Sequence, residues 1–135
     1  MRYTITVTET PVCIAHKLQL PYESKCNCLH GHNYSVEAVI YATQLNTNGM
    51  VVDFTHVKSV IKKYDHAFLG SPDCFPGTYE PEKVFNHVEP STAENFALVL
   101  FNEISEVIHS LNPTAGMVSV SVWETPSSKV TVTGS

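Results

Sequence analysis

The sequence predicts an α+β domain: a four-stranded antiparallel sheet with two helices on one face, in the order β, β, α, α, β, β. Three observations carry this. Apolar and polar residues alternate with period two in several stretches, the mark of half-buried strands. Two other stretches repeat apolar residues at helical spacing. A short turn signal links the last two strands, and short links join antiparallel neighbours, not parallel ones. The 135 residues, 14.9 kDa, are read as one domain, residues 1–135. A chain of that size buries about two thirds of its unfolded surface.

The first strand is Arg2 to Thr10, where Tyr3, Ile5 and Val7 alternate with Thr4, Thr6 and Thr8. The second is Tyr34 to Ala42, with Tyr34, Val36, Ala38 and Ile40 on one face. Asn46 to Gly49 reads as a turn. Phe54, Val57, Val60, Ile61 and Tyr64 then recur at helical spacing, with Asp53 or Thr55 as the cap. Ser91-Thr92-Ala93-Glu94 fits a capping box, in which the serine hydroxyl and the glutamate close free N–H groups at a helix start. Phe96, Leu100, Ile104, Val107, Ile108 and Leu111 continue that helix, and Asn112-Pro113 stops it. Met117 to Trp123 alternates valines with serines; Thr125 to Ser128 turns; Val130 to Val132 is a last short strand. Asp65 to Pro90 shows no strong pattern, apart from a short helix at Pro81 to His87. A structureless stretch of that length signals function or a missed element. Four strands with one covered face leave open edges, which favours pairing with other copies.

Charge and composition exclude several classes. Net charge is −5, and Arg2 with seven lysines is the whole cationic complement, so no basic face for nucleic acid can be built. No apolar run approaches the ~20 residues of a membrane span, and no basic-then-apolar leader opens the chain. A reducing, cytoplasmic setting follows, with the four cysteines as free thiols.

Seven histidines and four cysteines are many for this length, and His16, Cys26, Cys28, His30 and His32 lie within 17 residues. In extended chain, His30 and His32 point to one face, about 6.5–7 Å apart. With His16 as third ligand they could hold one zinc ion and leave a fourth position open, as catalytic sites do. A structural knuckle of Cys26, Cys28, His30 and His32 is the competing arrangement. Four same-face residues in extended chain span about 20 Å, too far for one tetrahedral ion. Ordinary hydrogen-bonded histidines are the bland alternative. A thiol near a metal or cation can act as base or nucleophile, and spacing does not choose between Cys26 and Cys28. Cys13, among Val12, Ile14 and Ala15, reads as a small buried hydrophobe, and Cys74 carries no role. Adjacent Asp65 and His66 point in different directions in most backbones. His56 and His109 read as solvated, His87 has no assigned role, and Glu124 is either a solvated strand end or an acceptor for two N–H groups of a heterocycle.

Cys26-Asn27-Cys28-Leu29-His30-Gly31-His32-Asn33-Tyr34, with Ala15-His16 before it, resembles a known pattern. Asp65-His66, Pro90-Ser91-Thr92-Ala93-Glu94-Asn95 and Trp123-Glu124-Thr125-Pro126 follow in order. Together they resemble the 6-pyruvoyltetrahydropterin synthase / 6-carboxytetrahydropterin synthase family nearly end to end. The resemblance implies the tunnelling fold, in which three subunits close a twelve-stranded barrel and two trimers stack into a homohexamer with sites between subunits. It implies zinc (Zn2+) on His16, His30 and His32, and a catalytic Cys26 with Asp65 and His66. Glu124 would anchor the pterin ring, with Thr92 beside it. The implied substrate is the pterin triphosphate 7,8-dihydroneopterin triphosphate. One branch eliminates triphosphate to give 6-pyruvoyltetrahydropterin. The other, in 7-deazaguanine (queuosine) biosynthesis, also releases acetaldehyde and leaves 6-carboxy-5,6,7,8-tetrahydropterin. Cys26 stands four residues before His30, as in the second branch. The expectation is therefore a carbon–carbon lyase, with the pyruvoyl enzyme as alternative, then an aldolase-like relative or a non-catalytic pterin- or metal-binding module. Lys17, Lys25, Arg2, Lys83 and Lys129 are candidates to offset the triphosphate charge. Cys28 and the Val12 to Ala15 stretch depart from the family pattern.

Overall fold

The computed structural model describes residues 1–75, 77–78 and 80–134. Two long strands, β1 (Tyr3–His16) and β2 (His30–Ala42), pair antiparallel. Helix α1 (Phe54–Lys62), the short strands β3 (Ala67–Leu69) and β4 (Val84–Phe85), and helix α2 (Ala93–Leu111) follow. Strands β5 (Ala115–Thr125) and β6 (Ser128–Thr133) form the closing hairpin. The order across the sheet is β4-β3-β1-β2-β5-β6.

The α+β class with two helices is present, but the sheet has six strands and is mixed, and the element order is ββαββαββ. The strands β1, β2, β5 and β6 are antiparallel to one another. The additions, β3 and β4, run parallel to β1 and to each other. Their sequences explain why they were hidden. Ala67-Phe68-Leu69 is fully buried and apolar throughout, so it shows no alternation. Val84-Phe85 is too short to carry a period. A 3-10 turn at Pro81–Lys83 and β4 occupy the expected Pro81 to His87 helix.

Both long pairings are offset by bulges. Between Glu9 and Val12, β1 spends three steps against two on β2 (Val36 to Tyr34). Inward-facing residues change parity there, from Val7 to Val12, Ile14 and His16. A bulge tolerates Pro11, which has no N–H to give a ladder. A second shift, at Val39/Ile40 on β2, turns β5 from Ala115 and Met117 to Val120 and Val122.

The core lies between this face and the helices. Phe96, Ala97, Leu100, Ile104 and Ile108 of α2 and Val57 and Ile61 of α1 meet Val36, Ala38, Ile40, Val120 and Val122. Asp53 caps α1 by accepting the Thr55 N–H at 2.9 Å. The α2 cap falls on Thr92, one residue after the expected serine: its hydroxyl accepts the Asn95 N–H at 3.2 Å. Asn112 ends α2 and ties the strand connections together through the Gln44 and Val51 carbonyls.

Candidate active site

The register of β1 against β2 builds the site. His16 stands directly opposite His30, and Ile14 opposite His32. Opposed residues share a face, as do residues two apart, so the three imidazoles converge on the inward face. Their ring centroids are 4.5, 5.3 and 4.9 Å apart, and their donor nitrogens lie within 4.8 Å of one another. The bulge makes this possible, since the parity of Tyr3 to Val7 would turn His16 outward.

Backbone carbonyls fix two of the rings. His16 Nδ1 lies 2.6 Å from the Ser91 carbonyl, and His30 Nδ1 lies 2.7 Å from the Cys28 carbonyl. A carbonyl only accepts, so in the neutral rings Nδ1 carries the proton and Nε2 keeps its lone pair. Burial, foremost, lowers the pKa of His16 and of His32, which favours the neutral form. His16 Nε2 is buried without any hydrogen-bond partner. An orphaned, neutral imidazole nitrogen facing two others fits a metal ion, and the carbonyls supply the outer support that metal-ligating histidines usually have.

Glu124 closes one side. Its Oε1 lies 3.0 Å from His32 Nε2, in Coulombic contact but without hydrogen-bond alignment. Tyr34 lies beneath His32 and His16 with its buried hydroxyl unpartnered; burial, then the Glu124 charge, raises its pKa. Ser91, buried at the helix entry, is committed to the site by its carbonyl, while its hydroxyl donates to the Lys17 carbonyl. Thr92 follows, with its hydroxyl in the α2 cap.

Asp65 and His66 stand elsewhere, between α1 and β3. His66 has φ +62°, a left-handed backbone that histidine adopts only occasionally. That turn brings adjacent side chains together: His66 Nδ1 lies 3.1 Å from Asp65 Oδ2. Asp65 Oδ1 accepts the Cys13 N–H at 2.8 Å, the main reason its pKa is held low. Cys13 is half-buried, not buried, and its thiol donates to Asn33 Oδ1 at 3.2 Å. The sequence reading of Cys13 as a core filler is thus corrected: its donor atom groups with those of Asp65 and His66.

Cys26 lies in the 3-10 turn Lys25–Asn27 as a half-buried free thiol, capped by Ser24. Its carbonyl accepts the Leu18 N–H, which anchors the β1–β2 loop. A cavity of about 660 Å³ lies against β1 and β3; His32 and His66 line it, while His16, His30, Cys26 and Glu124 do not. Of the candidate phosphate cations, Lys83 donates to the Asp65 carbonyl, Lys129 stacks over Trp123 and Arg2 over Tyr41.

An α+β sheet protein with a histidine cluster able to hold a metal ion is the class that fold and site define together. The 6-pyruvoyl tetrahydropterin synthase family matches residues 4–135, and the chain belongs to it. Within that family it is related to 6-carboxytetrahydropterin synthases. It is 36% identical over 120 residues to a probable 6-carboxy-5,6,7,8-tetrahydropterin synthase of Halobacterium salinarum, covering 85% of this chain and 77% of that one. It is 31% identical over 123 residues to the 6-carboxy-5,6,7,8-tetrahydropterin synthase of Rickettsia conorii, covering 84% and 88%. Against a putative 6-carboxy-5,6,7,8-tetrahydropterin synthase of Pyrococcus horikoshii, the match is 46% over 59 residues and spans 37% of that protein. Among solved structures, 6-pyruvoyl tetrahydropterin synthase of Caenorhabditis elegans superposes with TM-score 0.70 at 25% identity, covering 100% of this chain and 97% of that one. Among the described residues no helix is long and apolar enough to cross a membrane.

Proposed function

We propose that this chain is a zinc-dependent carbon–carbon lyase. It converts 7,8-dihydroneopterin triphosphate to 6-carboxy-5,6,7,8-tetrahydropterin, releasing acetaldehyde and triphosphate, in 7-deazaguanine biosynthesis. The observation that carries the reading is the convergent histidine trio, with Glu124 against His32, in a chain whose relatives bear the name 6-carboxytetrahydropterin synthase.

His16, His30 and His32 would hold the zinc. Bound there, the ion would act as a Lewis acid toward side-chain hydroxyl oxygens and acidify the neighbouring C–H. Cys26, as thiolate, removes that proton. His66, oriented by Asp65, donates a proton or serves as second base. Glu124 fixes the ring through paired N–H···O bonds, which are strong because the acceptor is charged, and Thr92 lines the pterin end. In one chain the Asp65–His66 pair groups with Cys13 and not with Cys26. The proposed cytoplasmic homohexamer, a dimer of trimers, accommodates this by completing each site between subunits.

The test is incubation of the purified, zinc-loaded chain with 7,8-dihydroneopterin triphosphate. Acetaldehyde and triphosphate released together are expected. Triphosphate without acetaldehyde would identify the pyruvoyl reaction instead, and release of neither would refute the lyase reading.

A further inference from the structure

We propose that Lys83 is a positioning residue for the Asp65–His66 pair. Its ammonium holds the peptide between the two in the left-handed turn that brings their side chains together. The inference rests on the reading of that pair as the proton relay of the proposed reaction, and deepens it.

The sheet delivers Lys83 to this turn. Strand β3 begins one residue after His66, and β4 begins one residue after Lys83. Phe68 pairs with Val84 and Leu69 with Phe85, in parallel. One step back along that register, Lys83 stands beside Ala67 and next to His66. The 3-10 turn Pro81–Lys83 fixes the residue from its other side, where the Lys83 N–H donates to the Glu80 carbonyl at 2.9 Å.

The peptide joining Asp65 to His66 is gripped at both of its polar ends. Its N–H donates to the Cys13 carbonyl at 2.7 Å, and its carbonyl accepts Lys83 Nζ at 2.9 Å. The first tie is backbone to backbone. Among the described residues, Lys83 is the one side chain bonded to the backbone of this turn. It is half-buried and in no ion pair among the described residues, so its charge is directed at that carbonyl. A charged donor makes a bond about twice as strong as a neutral one.

The grip matters because the turn is held against its own preference. A left-handed φ such as the +62° of His66 persists in a non-glycine residue where the surroundings over-determine it. Asp65 needs no further support, since its Oδ1 accepts the Cys13 N–H at 2.8 Å. The imidazole of His66 is 76% exposed, so little packing orients it, and its aim depends on its backbone. A change in φ at His66 swings the ring about the N–Cα bond relative to Asp65. Lys83 also borders the cavity of about 660 Å³ together with His66, so a direct contact to the substrate's phosphates is the rival role.

The test is Lys83→Met in the zinc-loaded full-length chain, which keeps the apolar stem and removes the donor. It is read by steady-state kinetics and by hydrogen exchange of residues 63–68. A misaimed relay should lower kcat by about 10–10²-fold and leave KM within about twofold, whereas a lost phosphate contact would raise KM with kcat kept. Exchange at 63–68 should quicken by about tenfold or more while α2 exchanges as in wild type, the sign of a local opening. Lys83→Arg should restore both readouts, and Lys83→Ala gives the same comparison if the methionine variant fails to fold. Unchanged exchange at 63–68, or a kcat that stays at the wild-type value, would overturn the proposal. A wild-type chain without turnover would refute the reaction alone, and the exchange measurement would still decide whether Lys83 holds the turn.

Discussion

His66→Gly separates a histidine kept for chemistry from one kept for the fold. Its left-handed backbone, φ +62°, costs a non-glycine residue about 1–2 kcal/mol. Glycine removes that cost but adds freedom to the unfolded chain, a loss of about 0.4–1 kcal/mol. The contact to Asp65 is also lost, but the imidazole is 76% exposed. An exposed pair of that kind contributes about 0–1 kcal/mol. These terms nearly cancel, so stability should stay within about 1.5 kcal/mol of wild type. Turnover should fall about 10²–10⁴-fold, the usual weight of a general acid or base. His66→Ala keeps the Cβ in the left-handed region, so it should be less stable than His66→Gly and equally inactive. Urea midpoints beside acetaldehyde release measure both. Unchanged turnover, or a stability loss of several kcal/mol that accounts for the lost activity, would refute the reasoning.

Three further outcomes are expected. His30→Ala/His32→Ala, assayed by metal analysis after dialysis, should lose the zinc bound by the trio; zinc retained there would contradict the assignment. Thr92→Ala should destabilise the chain by about 1 kcal/mol through loss of the α2 cap, whereas Ser91→Ala should spare the cap; thermal melts that rank the two the other way would move the cap to Ser91. For the metal-free chain, His16 and His32 have pKa values lowered from 6.5 by burial, so below pH 6.5 the unfolded state binds protons that the folded state refuses. Stability should therefore fall as pH drops through and below 6.5, and a urea midpoint that rises on acidification would contradict the lowered His16 and His32.

What the sequence made legible follows physical periods. Alternation marked the long strands because each has one wet face, and helical spacing marked α1 and α2 because each buries a stripe. The strands β3 and β4 were illegible because two or three buried residues carry no period. Parallel pairing to β1 also leaves no turn signal. His16, His30 and His32 were legible as a group because same-face spacing is local. Their approach depends on a bulge at Glu9/Val12, which the unbroken alternation of Tyr3 to Val7 did not announce. The α2 cap fell on Thr92 although only Ser91 has a glutamate three residues on, and the His16 contact shows that the Ser91 carbonyl faces the histidines. Cys13 was misread because Val12 and Ile14 describe one face of β1 while its own side chain lies on the other. The Asp65–His66 pair needed a positive φ, which a histidine does not advertise.

The bulge also governs which changes of chain length β1 can absorb. The ladder is regular from Tyr3 to Glu9 and from Val12 to His16, and β1 carries one more residue than β2 between those runs. Losing one residue at Thr10 or Pro11 would therefore merge the two runs without turning either over. His16 would stay opposite His30, and Val7 would stay in the core. The same loss at Thr6 would rotate the start of the strand, and a loss at Ala15 would draw His16 out of line with its partners. Length variation within β1 is thus confined to a two-residue window, and the histidine geometry is insulated from changes made there.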